Sequence, residues 1–227
     1  MPQIILDVEE KELGISAGLQ DRVIQWYGGL VAMDFAPATP RESAYTRLPV
    51  ELLPPLYLAY NTRLLGDSGK VHSPVRARFA AGDPEVVQGM ATLAALANLA
   101  VTALHAGDYG ALCDAMDENF NLRRRIYFDK VVGARNLEMI SLARTHGLAA
   151  KFTGSGGACI CLKRPTTESP GTFPLKADEE AGLRAAFAVL GFTFVRITPD
   201  STGAEGGEAA LVLPEARELR GAVLQID

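Results

Sequence analysis

The run Lys151-Phe152-Thr153-Gly154-Ser155-Gly156-Gly157-Ala158 constrains this chain more than any other segment. Three glycines within four residues let the backbone curl tightly enough to aim several N–H groups at one anion, which side chains would obstruct. The run is expected to join a helix to an apolar strand. It is not a Walker loop, which needs a glycine, four residues and then Gly-Lys-Ser/Thr, because Lys151 precedes these glycines. A plain glycine-rich connector is the commoner meaning of such a run, and a phosphate cradle is the alternative.

Composition narrows the classes. At 227 residues the chain fits one large domain or two smaller ones. Hydrophobic residues make up 48% and charged residues 22%, as in an ordinary globular protein. The formal charge of −5 argues against a nucleic-acid surface, though a local basic pocket for a nucleotide or sugar acid can coexist with it. No stretch reaches the roughly 18 consecutive apolar residues of a membrane span. The Met1-Pro2-Gln3 start has neither a basic nor an apolar leader segment, so a cytoplasmic protein away from membranes is expected. Cys113 is isolated, and Cys159 and Cys161 share one face of a strand at a spacing that suits neither a mutual disulfide nor a zinc knuckle. His72, His105 and His146 are scattered, so no metal held by protein side chains is expected.

Periodicity predicts a helix from Pro2 to Leu13 stopped by Gly14, and a second from Ile15 to Trp26. Gly28-Gly29 then leads into a strand, Leu30 to Phe35. Pro37, Pro40, Pro49 and Pro54 make residues 36 to 54 read as irregular and as a domain boundary. Pro55 to Tyr60 reads as a strand, and Gly66-Asp67-Ser68-Gly69-Lys70 as a polar turn. Helices follow at Pro84 to Ala106, Tyr109 to Tyr127 and Gly133 to His146, the last closed by Gly147. Beyond the glycine run come a strand at Ala158 to Leu162, a helix at Ala177 to Leu190 and a strand at Phe192 to Ile197. Residues 1 to about 50 do not make a self-sufficient core, while 51 to about 200 read as an α+β sandwich.

A second segment carries chemistry. Ser16-Ala17-Gly18 could open a helix and place Asp21, beside Arg22, in its first turn. There a carboxylate complements the unpaired N–H groups, which is one reading of Asp21. The other makes it a base that takes or orients a hydroxyl proton during phosphoryl transfer.

Six ordered blocks bear on the choice: Ala17-Gly18-Leu19-Gln20-Asp21-Arg22, Tyr27-Gly28-Gly29-Leu30, Met33-Asp34-Phe35, Asp67-Ser68-Gly69-Lys70-Val71-His72-Ser73, Arg123-Arg124-Arg125, and Lys151 to Ala158. In this order they resemble the plant-type glucuronokinases of the GHMP superfamily of small-molecule kinases. The resemblance implies an α+β GHMP-kinase-like fold. Residues 1–50 would be a remnant of the N-terminal ribosomal-protein-S5-like domain, carrying the catalytic segment. Residues 51–227 would be the C-terminal domain, a ferredoxin-like α/β sandwich. It implies Asp21 as the catalytic acid and Thr153, Gly154, Ser155, Gly156 and Gly157 as contacts to nucleotide phosphates. The implied reaction converts ATP and D-glucuronate to ADP and 1-phospho-glucuronate, with Mg2+ held mainly through the phosphates.

A substrate carboxylate calls for a cation, and arginine binds it bidentately. Arg22 and one of Arg123, Arg124 and Arg125, with Arg124 the representative of the triplet, are the candidates, and Lys70 and His72 are further ones, although an arginine run at a helix end commonly faces solvent. Lys70 follows Gly69, but Val71 occupies the Ser/Thr position that a Walker loop requires. The superfamily's early Pro-Gly-Arg segment and its Gly-Leu-Gly/Ala-Ser-Ser-Ala phosphate loop are absent from this sequence. The expectation is therefore weak or no turnover by the chain alone, and apolar surface on residues 2 to 35 that pairs with a second copy or a complementary N-terminal chain. The competing expectations are a non-catalytic binding or assembly module, and a kinase for galactose, galacturonate or a heptose phosphate.

Overall fold

The computed structural model describes residues 1–14, 17–36, 44–61, 68–154, 156–167, 174–201 and 203. Packing divides the chain into two compact units. One comprises Met1–Leu52 with the described residues from Ile197 onward, and the other comprises Leu53–Arg196.

The first unit opens with α1 (Pro2–Lys11), whose first position is the proline that a helix start tolerates. Asp7 accepts from Gln3 and Lys11, each one turn away. After α1 the chain turns through Gly14 at φ 64°. Helix α2 (Leu19–Tyr27) starts at Gly18 and ends at Gly28, with Asp21 in its first turn. Leu6 and Val23 are buried, and an ion pair between Arg22 and Glu9 ties the two helices. Strands β1 (Leu30–Met33) and β2 (Tyr45–Leu48) pair antiparallel from Leu30↔Leu48 to Met33↔Tyr45. Arg47 anchors β2 to the end of α2, donating to the Tyr27 carbonyl at 3.0 Å with its guanidinium 5.2 Å from the Tyr27 ring. Strand β2 and a short 3-10 turn at Val50–Leu52 correct the reading of 36 to 54 as irregular. The prolines at 40 and 49 lie outside this strand rather than break it, and its four residues were too few to show alternation.

The second unit is built on a four-stranded antiparallel sheet ordered β4-β5-β3-β6, from β3 (Leu56–Tyr60), β4 (Leu148–Phe152), β5 (Ala158–Lys163) and β6 (Thr193–Arg196). Helices α3 (Ser68–Ala80), α4 (Pro84–Ala106), α5 (Tyr109–Val132) and α6 (Ala134–Thr145) connect β3 to β4, and α7 (Ala177–Val189) connects β5 to β6. This is the split βαββαβ topology of ferredoxin-like folds, as expected. On one face, Tyr57, Ala59, Ala150, Phe152, Cys159, Cys161 and Phe194 meet Met139, Ile140, Ala143, Leu183 and Phe187 of the helices. Phe187 and Tyr57 stack against Phe194 at 5.0 and 5.3 Å between ring centroids, and Phe120 meets Phe152 edge-on at 5.2 Å.

Helix α4 is bounded by local chemistry. The Asp83 carboxylate accepts from the Glu85 N–H at 3.0 Å, Pro84 takes the first helical position, and Gly107 closes the helix in the left-handed conformation. Among the described helices α4 has the length and hydropathy to cross a membrane. It packs through Val86 and Leu93 on Leu122 and Ile126 of α5, where a Cβ on Gly89 would lie 2.5 Å from Ile126 Cδ1.

Three expectations are corrected here. Ser68 to Lys70 begin α3 rather than form a polar turn, and Gly66 and Asp67 lie outside the described residues. Leu148–Phe152 is a strand, so the glycine run joins two strands of a hairpin and not a helix to a strand. All five residues of β4 are buried, which erases the polar alternation that would have marked it. Helix α5 runs past Tyr127, but at Phe128 the backbone leaves the helical region with φ 61° and ψ 153°.

Candidate nucleotide and substrate site

The glycine loop caps the β4–β5 hairpin, above the pair Phe152↔Cys159. Thr153 N–H reaches back to the Ala158 carbonyl at 3.4 Å. Gly156 and Gly157 hold φ of 130° and 81°, values other residues rarely adopt. Gly157 is fixed on both sides: its N–H donates to Asn136 Oδ1 at 2.8 Å, and its carbonyl accepts from Asn61 N–H at 2.9 Å. A Cβ on Gly156 would sit 2.7 Å from Asn136 Nδ2. The side of the loop toward α6 is thus filled by protein, and any anion would meet the tip, Gly154 to Gly156. Ser155 itself lies outside the described residues.

Directly below the loop, Lys151 is 2% exposed and its ammonium donates to the Phe152 carbonyl at 2.8 Å. A charge in a strand otherwise made of Leu, Ala and Phe is costly unless it is well paired. The register puts Lys151 opposite Ile160, on the face of the sheet away from the aromatic stack. Sequence reasoning used Lys151 only to exclude a Walker loop. A lone charge inside an apolar five-residue run was the available signal.

The arginine triplet divides by direction. Arg124 lies on the exposed face of α5 and both of its donors go to Asp129, at 2.5 and 2.7 Å. That contact holds the Arg124 guanidinium above and the Asp129 carboxyl below their usual ranges. Arg125 pairs with Glu118 on the surface. Arg123 instead turns inward, 5% exposed, with its guanidinium 5.7 Å from the Tyr127 ring and with buried Asn119 one turn earlier. Helical phase decides this, since 100° per residue cannot aim three consecutive side chains the same way. For Lys70 and His72 the structure describes backbone alone, within α3.

In the first unit Asp21 projects from the first turn of α2, half exposed. Arg22 beside it is committed: one nitrogen reaches the Gly18 carbonyl at 3.2 Å and Asp21 at 3.3 Å, and another pairs with Glu9. Glu9 was not foreseen as a partner because it lies on a different helix. Arg22 thereby orients the Asp21 carboxylate.

The cysteines offer no nucleophile. Burial pushes the Cys113 thiol up to about 12, and the contact of Cys161 with Cys159 at 3.7 Å, together with burial, holds the Cys161 thiol well above its ordinary range. Among the described residues no three His, Cys, Asp or Glu side chains group as metal ligands.

Residues 100–170 match the family described as GHMP kinases C terminal. Two Arabidopsis thaliana proteins are similar: Probable glucuronokinase 2, 50% identical over 171 residues, and Glucuronokinase 1, 48% identical over 170. Each alignment takes in 73% of this chain and 46% of the relative, so the chain spans about half the length of the curated relatives it matches. The fold resembles Lactococcus lactis galactokinase complexed with galactose, at TM-score 0.60 and 19% identity over 88% of this chain and 59% of that one. It also resembles L. major mevalonate kinase in complex with R-mevalonate, at TM-score 0.57 and 19% identity over 84% and 56%. The resemblance read from the ordered blocks therefore stands: residues 100–170 match the C-terminal family of the GHMP kinases, and the chain has a mixed helix and sheet fold like that of galactokinase and mevalonate kinase.

Proposed function

We propose that this chain supplies the acid and the phosphate-facing hairpin of an ATP-dependent kinase that phosphorylates D-glucuronate at its anomeric hydroxyl. The observation that carries the reading is the 50% identity over 171 residues to a protein named for that activity. Asp21 would take the proton of the C1 hydroxyl while that oxygen bonds to the γ-phosphorus and the bond to the ADP oxygen breaks. The backbone N–H groups of Gly154 to Gly156 would face phosphate oxygens, a role that fits a tip with little side-chain bulk and a filled back. Mg2+, held through the phosphates, would neutralise developing charge. Arg123 is the triplet member placed for an inward role, and Arg22 acts through Asp21.

The test is an ADP-release assay on the chain with ATP, Mg2+ and a panel of glucuronate, galacturonate, galactose and a heptose phosphate, beside calorimetry with Mg-ATP and with glucuronate. Weak turnover by the chain alone is expected, with glucuronate foremost. Asp21→Asn should lower it by about 100-fold or more while the circular dichroism spectrum is unchanged. A folded chain that binds neither Mg-ATP nor glucuronate overturns the reading in favour of a binding or assembly module. A stronger response to another sugar keeps the kinase and changes its substrate.

A further inference from the structure

Resting on the nucleotide reading just given, we propose that Asn136 is a positioning residue that sets the glycine loop and, through it, the affinity for nucleotide. Asn136 is the third residue of α6, just after the chain passes Gly133 at φ 86°. Its Nδ2 donates to the Val132 carbonyl at 2.8 Å, one turn back, and its Oδ1 accepts from the Gly157 N–H at 2.8 Å. The carbonyl can only accept and the backbone N–H can only donate, so the amide has one orientation that satisfies both. The side chain is thus held from the last residue of α5 before it touches the loop.

This contact decides which loop amides are offered. Gly157 N–H is taken by Asn136 and Thr153 N–H by Ala158, so both feet of the loop are spent within the protein. Gly156 must be glycine at this contact, because a Cβ would collide with the amide nitrogen of Asn136. A loop anchored at its feet presents its tip without first being ordered by ligand, which lowers the entropic cost of binding an anion. Alanine removes the anchor, whereas aspartate keeps an acceptor for Gly157 and loses the donor to Val132.

The experiment compares amide exchange over residues 153–158, Mg-ATP binding and glucuronate binding in the wild type, Asn136→Ala and Asn136→Asp. Asn136→Ala should speed exchange in this segment about tenfold, the size of one lost hydrogen bond, and weaken Mg-ATP by a similar factor with glucuronate affinity unchanged. Asn136→Asp should keep the exchange within a few-fold of the wild type, which a residue that merely fills space would not do. Equal loss of protection in both variants, or in neither, overturns the proposal, as does unchanged Mg-ATP affinity in a wild-type-binding background. If the wild type binds no Mg-ATP, the nucleotide reading fails by its own test and the affinity half falls with it, while the exchange data still decide whether Asn136 sets the loop.

Discussion

The two units hold their candidate residues in opposite ways. Asp21 stands half exposed on a nine-residue helix whose buried side chain is Val23. Its neighbour α1 keeps Ile4 and Val8 at 59% and 46% exposure, and Leu13 just past its end is at 63%. The glycine loop rises from strand β4, buried along its whole length, and strand β5, buried except at its two ends, with Lys151, Asn61 and Asn136 fixing its base. A proton acceptor tolerates small movements that a row of backbone donors does not, since several N–H directions must agree at one anion. The heavier unit therefore carries the part with the stricter geometry.

The strongest way to break this comparison is to empty the core beneath the loop. Phe187 is fully buried and stacks on Phe194, so Phe187→Ala should cost about 3–5 kcal/mol in urea unfolding. Ile4→Glu, on the exposed side of α1, should change stability by less than about 0.5 kcal/mol. A comparable cost for the two would mean that the α1 face is as well packed as the sheet, and the contrast would be lost.

Next in size is the edge of the sheet. Strand β4 has a neighbour on one side alone, and the Ala150 N–H on the other side donates to Asp117 Oδ1 at 3.0 Å. The same carboxylate holds Arg144 at 2.9 Å and Arg164 at 2.5 Å, joining α5, α6 and the end of β5. Asp117→Ala leaves the Ala150 N–H without this acceptor and takes one from each of two guanidinium groups, which keep Asn121 and Asp114, and should cost about 3 kcal/mol in the same measurement. A loss under about 1 kcal/mol would show that solvent replaces the carboxylate and that the edge needs no pin.

These residues mark where the sequence was legible. The limits of α4 were plain because Asp83-Pro84 and Gly107 are strong local stop and start signals. The helix read as ending at Tyr127 runs on to Val132, with the departure from helical geometry at Phe128 just past that limit. The ferredoxin-like layout followed from the resemblance, while β4 stayed hidden because burial on both faces removes alternation. Asp21's place in the first turn of α2 was readable from Ser16-Ala17-Gly18, although the helix begins at Leu19 and ends at Tyr27 rather than spanning Ile15 to Trp26. The partners Glu9, Asn61 and Asn136 were not, because each contact joins residues that only tertiary structure brings together.

A smaller and more local effect is expected at the loop itself. Gly156→Ala forces a side chain into φ 130° and against Asn136, at about 1–3 kcal/mol of strain. Because the loop is a hairpin tip, that strain should appear as weaker Mg-ATP binding by calorimetry and faster local amide exchange more than as a lower melting temperature. A full global loss with unchanged nucleotide affinity would mean the loop is a structural turn and nothing else.

The smallest effect tests whether surface charge, rather than core, sets the heavier unit apart. Glu179 accepts from Lys163 Nζ at 2.8 and 2.9 Å and from the Lys176 N–H at 2.8 Å at the start of α7. The Lys163 contact, then the backbone donor, holds its carboxyl below the ordinary glutamate range. A carboxyl lowered in the folded state stabilises the fold above its unfolded value of about 4.3, and that stability is lost as pH falls through the folded value. The wild type should therefore lose stability below about pH 4 relative to Glu179→Gln, with the two differing by no more than about 1 kcal/mol at pH 7, as befits an exposed pair at a helix start. Parallel pH curves for the two proteins would remove Glu179 from the account. A gap of several kcal/mol at pH 7 would overturn the larger claim, because the unit would then depend on its rim as much as on the aromatic stack inside it.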